Sequence, residues 1–374
     1  MTYLNVDEID SALVNLAAAY PTTSELISAP HPTHEDRLCR ILKIGTARDG
    51  PRPGVLLLGG VHAREWVPPD AIVSLCADLL EASDMGTGLR YGNAYFGADD
   101  VRRVLETLDV IVFPCVNPDG RRFSQTRDSG WRKNRRPHPS GGACIGVDLN
   151  RNFDFLWDHS SKFAADSNVR TSANPCDNEV YRGPAPASEP ETRNVVWLLD
   201  RNPALRWFVD VHSAVPVVLH SWGTDHNQST SADQTFSNPL FDAVRGRPED
   251  TAYGEFISAD DLAAVTTAAR CVSDAIAAVR GEVYGAEQAY SLYPTSGASD
   301  DYAYSRAFTD PMRAPLYGFT IECGRSFQPP WSEAENVIRD VSAGLLALLL
   351  HAVDHTAIGQ VTVGQVTLDI SDAR

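Results

Sequence analysis

Apolar residues recur along the chain with two different periods. In five segments they return every three or four residues next to capping or chain-breaking residues, which is typical of amphipathic helices: 7–19, 69–81, 188–201, 260–279 and 332–353. Six shorter runs are almost continuously apolar, which is typical of buried strands: 38–44, 55–61, 109–116, 205–212, 217–221 and 316–322. Because strands and helices are interleaved, we predict an α/β fold with a central, largely parallel sheet and helices on both faces.

Polar stretches interrupt this pattern at 124–142, 224–250 and 305–314, and their composition is that of loops. We expect these loops to surround the functional site. Near the end of the chain, residues 360–368 alternate between apolar and polar side chains, which is typical of an edge strand. The sequence does not define what such a strand would pair with.

Two of the predicted strands end in histidine. The run 55–61 leads into His62 and, three residues later, Glu65, while the run 205–211 leads into His212. Two imidazoles and one carboxylate suit zinc and leave its fourth position open, as in catalytic sites. A His-x-x-Glu motif alone is weak, and a single histidine is often a packed core residue. Their shared position at strand ends, where open α/β sheets bind ligands, favours a metal site.

Further polar motifs follow in a fixed order along the chain: Trp131-Arg132-Lys133, Asp148-Leu149-Asn150-Arg151-Asn152-Phe153, His212-Ser213, Ser291-Leu292-Tyr293-Pro294 and Phe319-Thr320-Ile321-Glu322. With these motifs the chain resembles the zinc carboxypeptidases of the pancreatic carboxypeptidase A and B type over nearly its whole length. The resemblance implies a mixed sheet in a single domain, here 1–374 with 356–374 as a tail. It also implies one zinc ion per chain and hydrolysis of the C-terminal peptide bond of peptides or proteins.

The chemistry of that reaction asks for two further groups. Zinc lowers the pKa of a bound water toward ~7, and a carboxylate must take its proton and pass it to the leaving amine. Glu322 is our candidate, because a glutamate at the end of so apolar a strand needs a partner for its charge. A surface glutamate at a strand end is the alternative. Arg132 would stabilise the oxyanion, an effect typically of ~3–4 kcal/mol per donor.

An exopeptidase must also recognise a free carboxylate. A guanidinium can bind it through two parallel charge-assisted hydrogen bonds, which a lysine cannot do. The resemblance assigns this role to Arg151, with Asn150 as a second donor, and makes Tyr293 the mobile tyrosine that closes over the substrate. It further places Arg64 at the mouth of the site. Asp148 matches a carboxylate that orients the first zinc histidine.

Substrate preference depends on Asp300. It matches the aspartate at the pocket floor of the B type, where the A type has an apolar residue, so we expect a preference for C-terminal Lys or Arg. An unpaired buried charge would disfavour apolar substrates by ~2–5 kcal/mol. Ser299, Asp300 and Asp301 could instead form a helix N-cap cluster. Ala298 replaces a family glycine and narrows the pocket, which leaves mixed specificity open, and Ala214 stands where the family has an aromatic residue.

Charge and cysteine content bear on partners and compartment. The net charge of −17 excludes nucleic acid as an expected partner, despite the basic cluster 131–136, and no apolar run reaches membrane-spanning length.

Cys144 and Cys176 match the family's disulfide pair, which suggests an oxidising setting. No secretory leader or inhibitory prosegment precedes the matching residues, which favours a cytoplasmic enzyme, with a secreted one as the alternative. The oligomeric state is not defined.

Two other functions fit the same motifs. One is a zinc amidohydrolase acting on acylated or cell-wall amino acids, against which the carboxylate clamp at Arg151 argues. The other is a catalytically silent homologue that holds peptide tails, against which the presence of Glu322 argues. Three hypotheses therefore remain, with the metallocarboxypeptidase as the leading one.

Overall fold

A computed structural model describes residues 2–46, 52–138, 140–247 and 252–355. Eight strands form the main sheet: β1 (Ser24–Ser28), β2 (Arg40–Ile44), β3 (Gly54–Gly59), β6 (Asp109–Phe113), β7 (Leu205–His212), β8 (Val217–His220), β11 (Gly285–Gln288) and β12 (Tyr317–Glu322). Two small two-stranded sheets lie outside it: β4 (Leu89–Tyr91) with β5 (Ala94–Phe96), and β9 (Gln228–Ser229) with β10 (Glu255–Phe256).

The strand order in the main sheet is β1-β2-β6-β3-β7-β12-β8-β11. The four central strands, β6, β3, β7 and β12, run parallel to one another. Antiparallel pairs occur between β1 and β2, between β2 and β6, and between β12 and β8. The sheet is therefore mixed with a parallel centre, and the carboxyl ends of β3, β7 and β12 meet at one edge.

Nine helices are assigned in the described residues: α1 (Val6–Ala19), α2 (Val67–Met85), α3 (Ala98–Thr107), α4 (Pro118–Thr126), α5 (His159–Lys162), α6 (Pro190–Arg201), α7 (Ala259–Arg280), α8 (Ser299–Thr309) and α9 (Trp331–His355). Alternate residues of β3 belong to two separate cores. Val55 and Leu57 pack in the core that includes α2, α3, α7 and α9, whereas Leu56 and Leu58 pack in the core that includes α6. This alternation shows that helices cover both faces of the sheet.

Local sequence determines where helices begin and end. At the start of α1, the Asn5 side chain accepts a hydrogen bond from Glu8 N (3.0 Å) and Glu8 Oε2 accepts one from Asn5 N (2.7 Å), which is a capping box. Helix α2 has proline in its first turn and ends at Gly86, whose φ of 65° is left-handed. The turn before α2 carries the segment from His62 to Glu65.

All five predicted helices and all six predicted strands are present, with ends within four residues of the predicted ones. Two loop predictions need correction: α4 extends into 124–142, and α8 continues to Thr309 inside 305–314. The predicted tail strand at 360–368 lies outside the described residues.

Helices α7 and α9 are long and apolar enough to cross a membrane, but buried helices of soluble proteins are often equally long and apolar. These two helices pack against each other over the sheet.

Candidate active site

His62, Glu65 and His212 converge at the carboxyl edge of the sheet. His62 follows β3, Glu65 lies in the turn before α2, and His212 is the last residue of β7. Nδ1 of His62 is 2.8 Å from Glu65 Oε1 and 2.9 Å from Nδ1 of His212, which is itself 3.0 Å from Glu65 Oε2. All three side chains are buried. Residues 150 positions apart in the chain thus present three donor atoms to one point.

This donor set fits a divalent cation. The two facing Nδ1 atoms can share only one proton, whereas a cation would satisfy both lone pairs and the carboxylate together. Burial opposes ionisation of Glu65, but the two imidazoles outweigh it and hold the Glu65 pKa below its usual range. Two nitrogens and one oxygen, all within 4.8 Å of one another, are the ligands of a catalytic zinc site.

Asp148 links the first histidine to Arg132. Its Oδ1 lies 3.1 Å from Nε2 of His62, and its Oδ2 accepts from Arg132 Nε (3.2 Å) and Nη2 (2.9 Å). Burial opposes its charge, but Arg132 and His62 outweigh this and hold the Asp148 pKa well below its usual range. Arg132 also lies within 3.8 Å of Glu65. The structure therefore brings both predicted residues to the metal ligands.

Glu322 occupies the last position of β12, directly opposite His212 in the parallel pairing with β7. Its Oε2 is buried and has no hydrogen-bond partner among the described residues. Burial, reinforced by the charge of Glu65, raises the pKa of Glu322 from 4.5 to about 7, while His212 and Arg132 act in the opposite direction. A carboxyl group that ionises near neutral pH next to a metal site suits proton transfer.

Arg151 and Asn150 lie in a 3₁₀ turn that Asp148 begins, its Oδ1 accepting from Asn150 N at 3.0 Å. The Asn150 side-chain oxygen accepts from Ser299 N (2.8 Å), which leaves its NH₂ group as the donor for a ligand. Arg151 is buried and donates to two backbone carbonyls, but its Nη2 has no partner among the described residues. The Tyr293 ring lies 5.7 Å from the Arg151 guanidinium. These groups could bind a carboxylate.

Asp300 is buried in the first turn of α8, and its Oδ1 accepts from Asp301 N (2.9 Å) and its Oδ2 from the Thr320 hydroxyl (3.1 Å). Thr320 lies two residues before Glu322, so it is on the same face of β12. The helix N-cap is Ala298, with no side-chain cap bond, and Ser299, Asp300 and Asp301 form the first turn of α8, so the alternative of a cluster at a helix N-terminus stays open. Gly318 permits this packing, because a Cβ there would lie 2.1 Å from Asp300 O.

Arg64 does not extend freely from the turn. Its guanidinium pairs with both carboxylate oxygens of Glu179 (3.0 and 2.7 Å) and lies 4.4 Å from the Phe327 ring. Cys144 and Cys176 form a disulfide that spans 32 residues and closes the segment containing the Asn150 turn. Glu179, three residues beyond Cys176, therefore connects this segment to the metal-binding turn.

Sequence reasoning missed one charged residue at the site, Asp210. Its Oδ2 lies 3.0 Å from Nε2 of His212 and accepts a hydrogen bond from the Ser299 hydroxyl at 2.7 Å. The available signal was an aspartate inside the mostly apolar run 205–211, because a charge buried in a strand needs a partner.

A groove of about 670 Å³ lies outside the site, between the N-terminal segment and the start of α9, and it is lined by Tyr3, Trp66 and Trp331 among others. It contains none of the metal ligands and no candidate catalytic residue. The convergence of donor atoms, rather than the size of a cavity, therefore locates the active site.

Comparison with known proteins agrees with this fold. The zinc carboxypeptidase family model matches residues 9–344, so the chain belongs to the zinc carboxypeptidase family. It is a zinc-dependent metallocarboxypeptidase, a peptide hydrolase.

The relatives include both specificity types. "Carboxypeptidase A4" of Mus musculus is 28% identical over 361 residues, covering 94% of this chain and 71% of the relative. "Carboxypeptidase B" of Astacus astacus is 29% identical over 325 residues, covering 86% of each chain. The crystal structure of thrombin activatable fibrinolysis inhibitor superposes with a TM-score of 0.72 at 23% identity, covering 94% of this chain and 75% of that one, and shares the fold.

Proposed function

We propose that this metallocarboxypeptidase preferentially releases lysine or arginine from the C-termini of peptides. The relatives do not decide the preference, because proteins named carboxypeptidase A and carboxypeptidase B match this chain about equally well. The observation that carries the proposal is the buried carboxyl group of Asp300 beside the strand that bears Glu322.

Recognition of the free C-terminus falls to Arg151 and Asn150. The unpartnered Nη2 of Arg151 and the NH₂ group of Asn150 are donors suited to a carboxylate. The Tyr293 ring beside Arg151 would close over the bound residue. With the carboxylate fixed here, the scissile carbonyl would be presented toward the metal ligands.

Hydrolysis then depends on proton transfer and charge stabilisation. Zinc, held by His62, Glu65 and His212, would supply a water of lowered pKa and polarise the carbonyl. Glu322 would accept a proton from the attacking water and deliver it to the leaving amine. Arg132, held in place by Asp148, would donate to the oxyanion as negative charge develops on the carbonyl oxygen.

Asp300 would bind the basic side chain of the C-terminal residue. Among the described residues, no lysine or arginine forms an ion pair with it, so its charge lacks a strong counterion. Burial raises the Asp300 pKa, and the nearby Asp210 raises it further. An ammonium or guanidinium group from the substrate would supply the missing charge, whereas an apolar side chain would leave a buried carboxylate unpaired.

A panel of peptides that differ only in the last residue tests this proposal. For the wild type we expect kcat/KM to be at least about 30-fold higher with Arg or Lys than with Leu or Phe, the lower end of the 2–5 kcal/mol range. Asp300→Asn should reduce this ratio to near one, because it removes the charge while its Oδ1 can still accept from Asp301 N and its NH₂ group can donate to the Thr320 hydroxyl. A wild-type preference for Leu or Phe would rule out the basic pocket.

Asp301→Asn is the matched control. Asp301 is equally buried one residue away, but its carboxylate accepts from Gly223 N (3.1 and 2.9 Å) and so faces a different loop. We expect this variant to keep the wild-type ratio. Peptides with an amidated C-terminus provide a further arm, since rapid cleavage of amides would favour the amidohydrolase hypothesis over an exopeptidase that requires a carboxylate.

A further inference from the structure

Each zinc-binding histidine has a carboxylate at its second ring nitrogen. For His62 this carboxylate is Asp148, at 3.1 Å from Nε2. For His212 it is Asp210, whose Oδ2 is 3.0 Å from Nε2. Asp210 lies two residues before His212 on the same face of β7 and is fully buried. The two pairs have similar distances but differ in geometry, because the Asp148 contact is a hydrogen bond whereas Nε2 of His212 has no hydrogen-bond partner among the described residues.

We propose that Asp210 is a positioning residue that fixes the tautomer and orientation of His212 for zinc. The Nδ1 atom of His212 faces His62 and Glu65, so it must be unprotonated to bind a cation, and the ring proton must then reside on Nε2. A carboxylate 3.0 Å from Nε2 stabilises that tautomer and increases the basicity of Nδ1. The 3.0 Å contact does not meet hydrogen-bond geometry, so here Asp210 acts on Nε2 through its charge.

Asp210 also connects the metal site to the helix that carries Asp300. The same Oδ2 that faces His212 accepts a hydrogen bond from the Ser299 hydroxyl in the first turn of α8. Its Oδ1 is buried without a partner among the described residues. A buried carboxylate oxygen without a hydrogen bond lowers the stability of the folded protein. Stability of the strand alone therefore does not explain an aspartate at this position. The arrangement favours a role directed at His212.

Zinc affinity, measured by competition with a chromophoric chelator, tests the proposal without relying on turnover. We expect Asp210→Asn to weaken zinc binding about 10- to 100-fold, the usual effect of losing such a partner. Asp148→Asn serves as the reference and should weaken binding to a similar extent. Ser299→Ala removes the other partner of Asp210 while preserving the contact with His212, so its affinity should stay within about twofold of the wild type.

Asp340→Asn controls for simple destabilisation. Asp340 is also fully buried and accepts from Arg280 (3.1 and 2.9 Å), but it lies in α9 away from the metal ligands. We expect it to lower the melting temperature without changing zinc affinity. If Asp210→Asn behaves in the same way, with lower thermal stability and unchanged zinc affinity, the positioning role is refuted.

A measurement on the wild type covers the case in which Asp210→Asn does not fold. Nitrogen-15 NMR of the zinc-free enzyme, at a pH where the His212 ring is neutral and no metal dictates its tautomer, should show the remaining proton of His212 on Nε2, with the signal assigned by comparison with His212→Gln. A proton on Nδ1 would overturn the proposal. The inference rests on His212 being a zinc ligand, and that assumption has its own test: if His212→Ala binds zinc as tightly as the wild type, the ligand assignment itself fails.

Discussion

Glu322→Gln separates the chemistry of this side chain from its effect on stability. The substitution keeps the shape of the side chain and removes its charge, so no cavity forms. We expect kcat to fall about 10²- to 10⁴-fold, the usual contribution of a positioned acid–base group. Zinc affinity should change little, because Glu322 is not among the three converging ligands.

The same substitution should stabilise the zinc-free protein at high pH. Because the folded pKa of Glu322 is raised from 4.5 to about 7, the folded state holds more protons than the unfolded state between these values. The free energy of unfolding therefore falls as pH rises through this window, by about 3 kcal/mol in full. Glu322→Gln abolishes this loss, so its stability relative to the wild type should be about 3 kcal/mol greater at pH 8 than at pH 4.

Urea unfolding of both proteins in the presence of a chelator, at pH 4 and pH 8, measures this difference. Comparing variant with wild type cancels the other buried carboxyl groups that titrate in the same range. Bound zinc adds positive charge beside Glu322 and lowers its pKa, so the pH effect should shrink when the enzyme is loaded. Turnover within about tenfold of the wild type, or a stability difference independent of pH, would refute the role given to Glu322.

Three further outcomes are expected. Arg151→Lys should raise KM for peptides, since lysine lacks the paired donors of the guanidinium; an unchanged KM in initial-rate assays would contradict the carboxylate clamp. Reducing the Cys144–Cys176 disulfide should lower the free energy of unfolding by about 3–4 kcal/mol, as estimated for a closed segment of 32 residues and measured by denaturant titration with and without reductant. Arg121→Met should cost about 3–5 kcal/mol in the same titration because it leaves Asp70, 2.8 Å away and buried, without its counterion; adding Asp70→Leu should recover much of that loss.

The elements that could be predicted from the sequence are those whose burial is reflected in a run or a periodic pattern of apolar residues. Strand β7 has the same bounds as the predicted run 205–212, because both of its faces are covered and most of its residues are apolar. In contrast, β1 lies at the sheet edge with no fully buried residue, and its sequence Ser24–Ser28 carries little signal. Helix α8 was missed within 305–314 because its polar residues are buried through tertiary contacts rather than by apolar periodicity.

The proximity of three candidate site residues could be predicted because their side chains follow strand ends. His62, His212 and Glu322 each stand where a parallel strand finishes, and parallel strands end at a common edge. Spacing could not reveal that Arg64 is held by Glu179, since that pairing depends on a loop brought back by the disulfide. Asp210 was not predicted because the apolar pattern of a strand does not show which residue an interior aspartate contacts in the folded protein.

Because the two zinc-binding histidines are far apart in sequence, the metal should also stabilise the fold. The strands that deliver them, β3 and β7, are neighbours in the sheet but are separated by some 150 residues of chain. An ion shared by both strands ties the beginning of the domain to its middle, and the unfolded polypeptide cannot offer that binding site. Loss of the ion should therefore loosen the whole carboxyl edge of the sheet and expose it to proteolytic nicking, so that a chelator would shorten the lifetime of the protein as well as silence it.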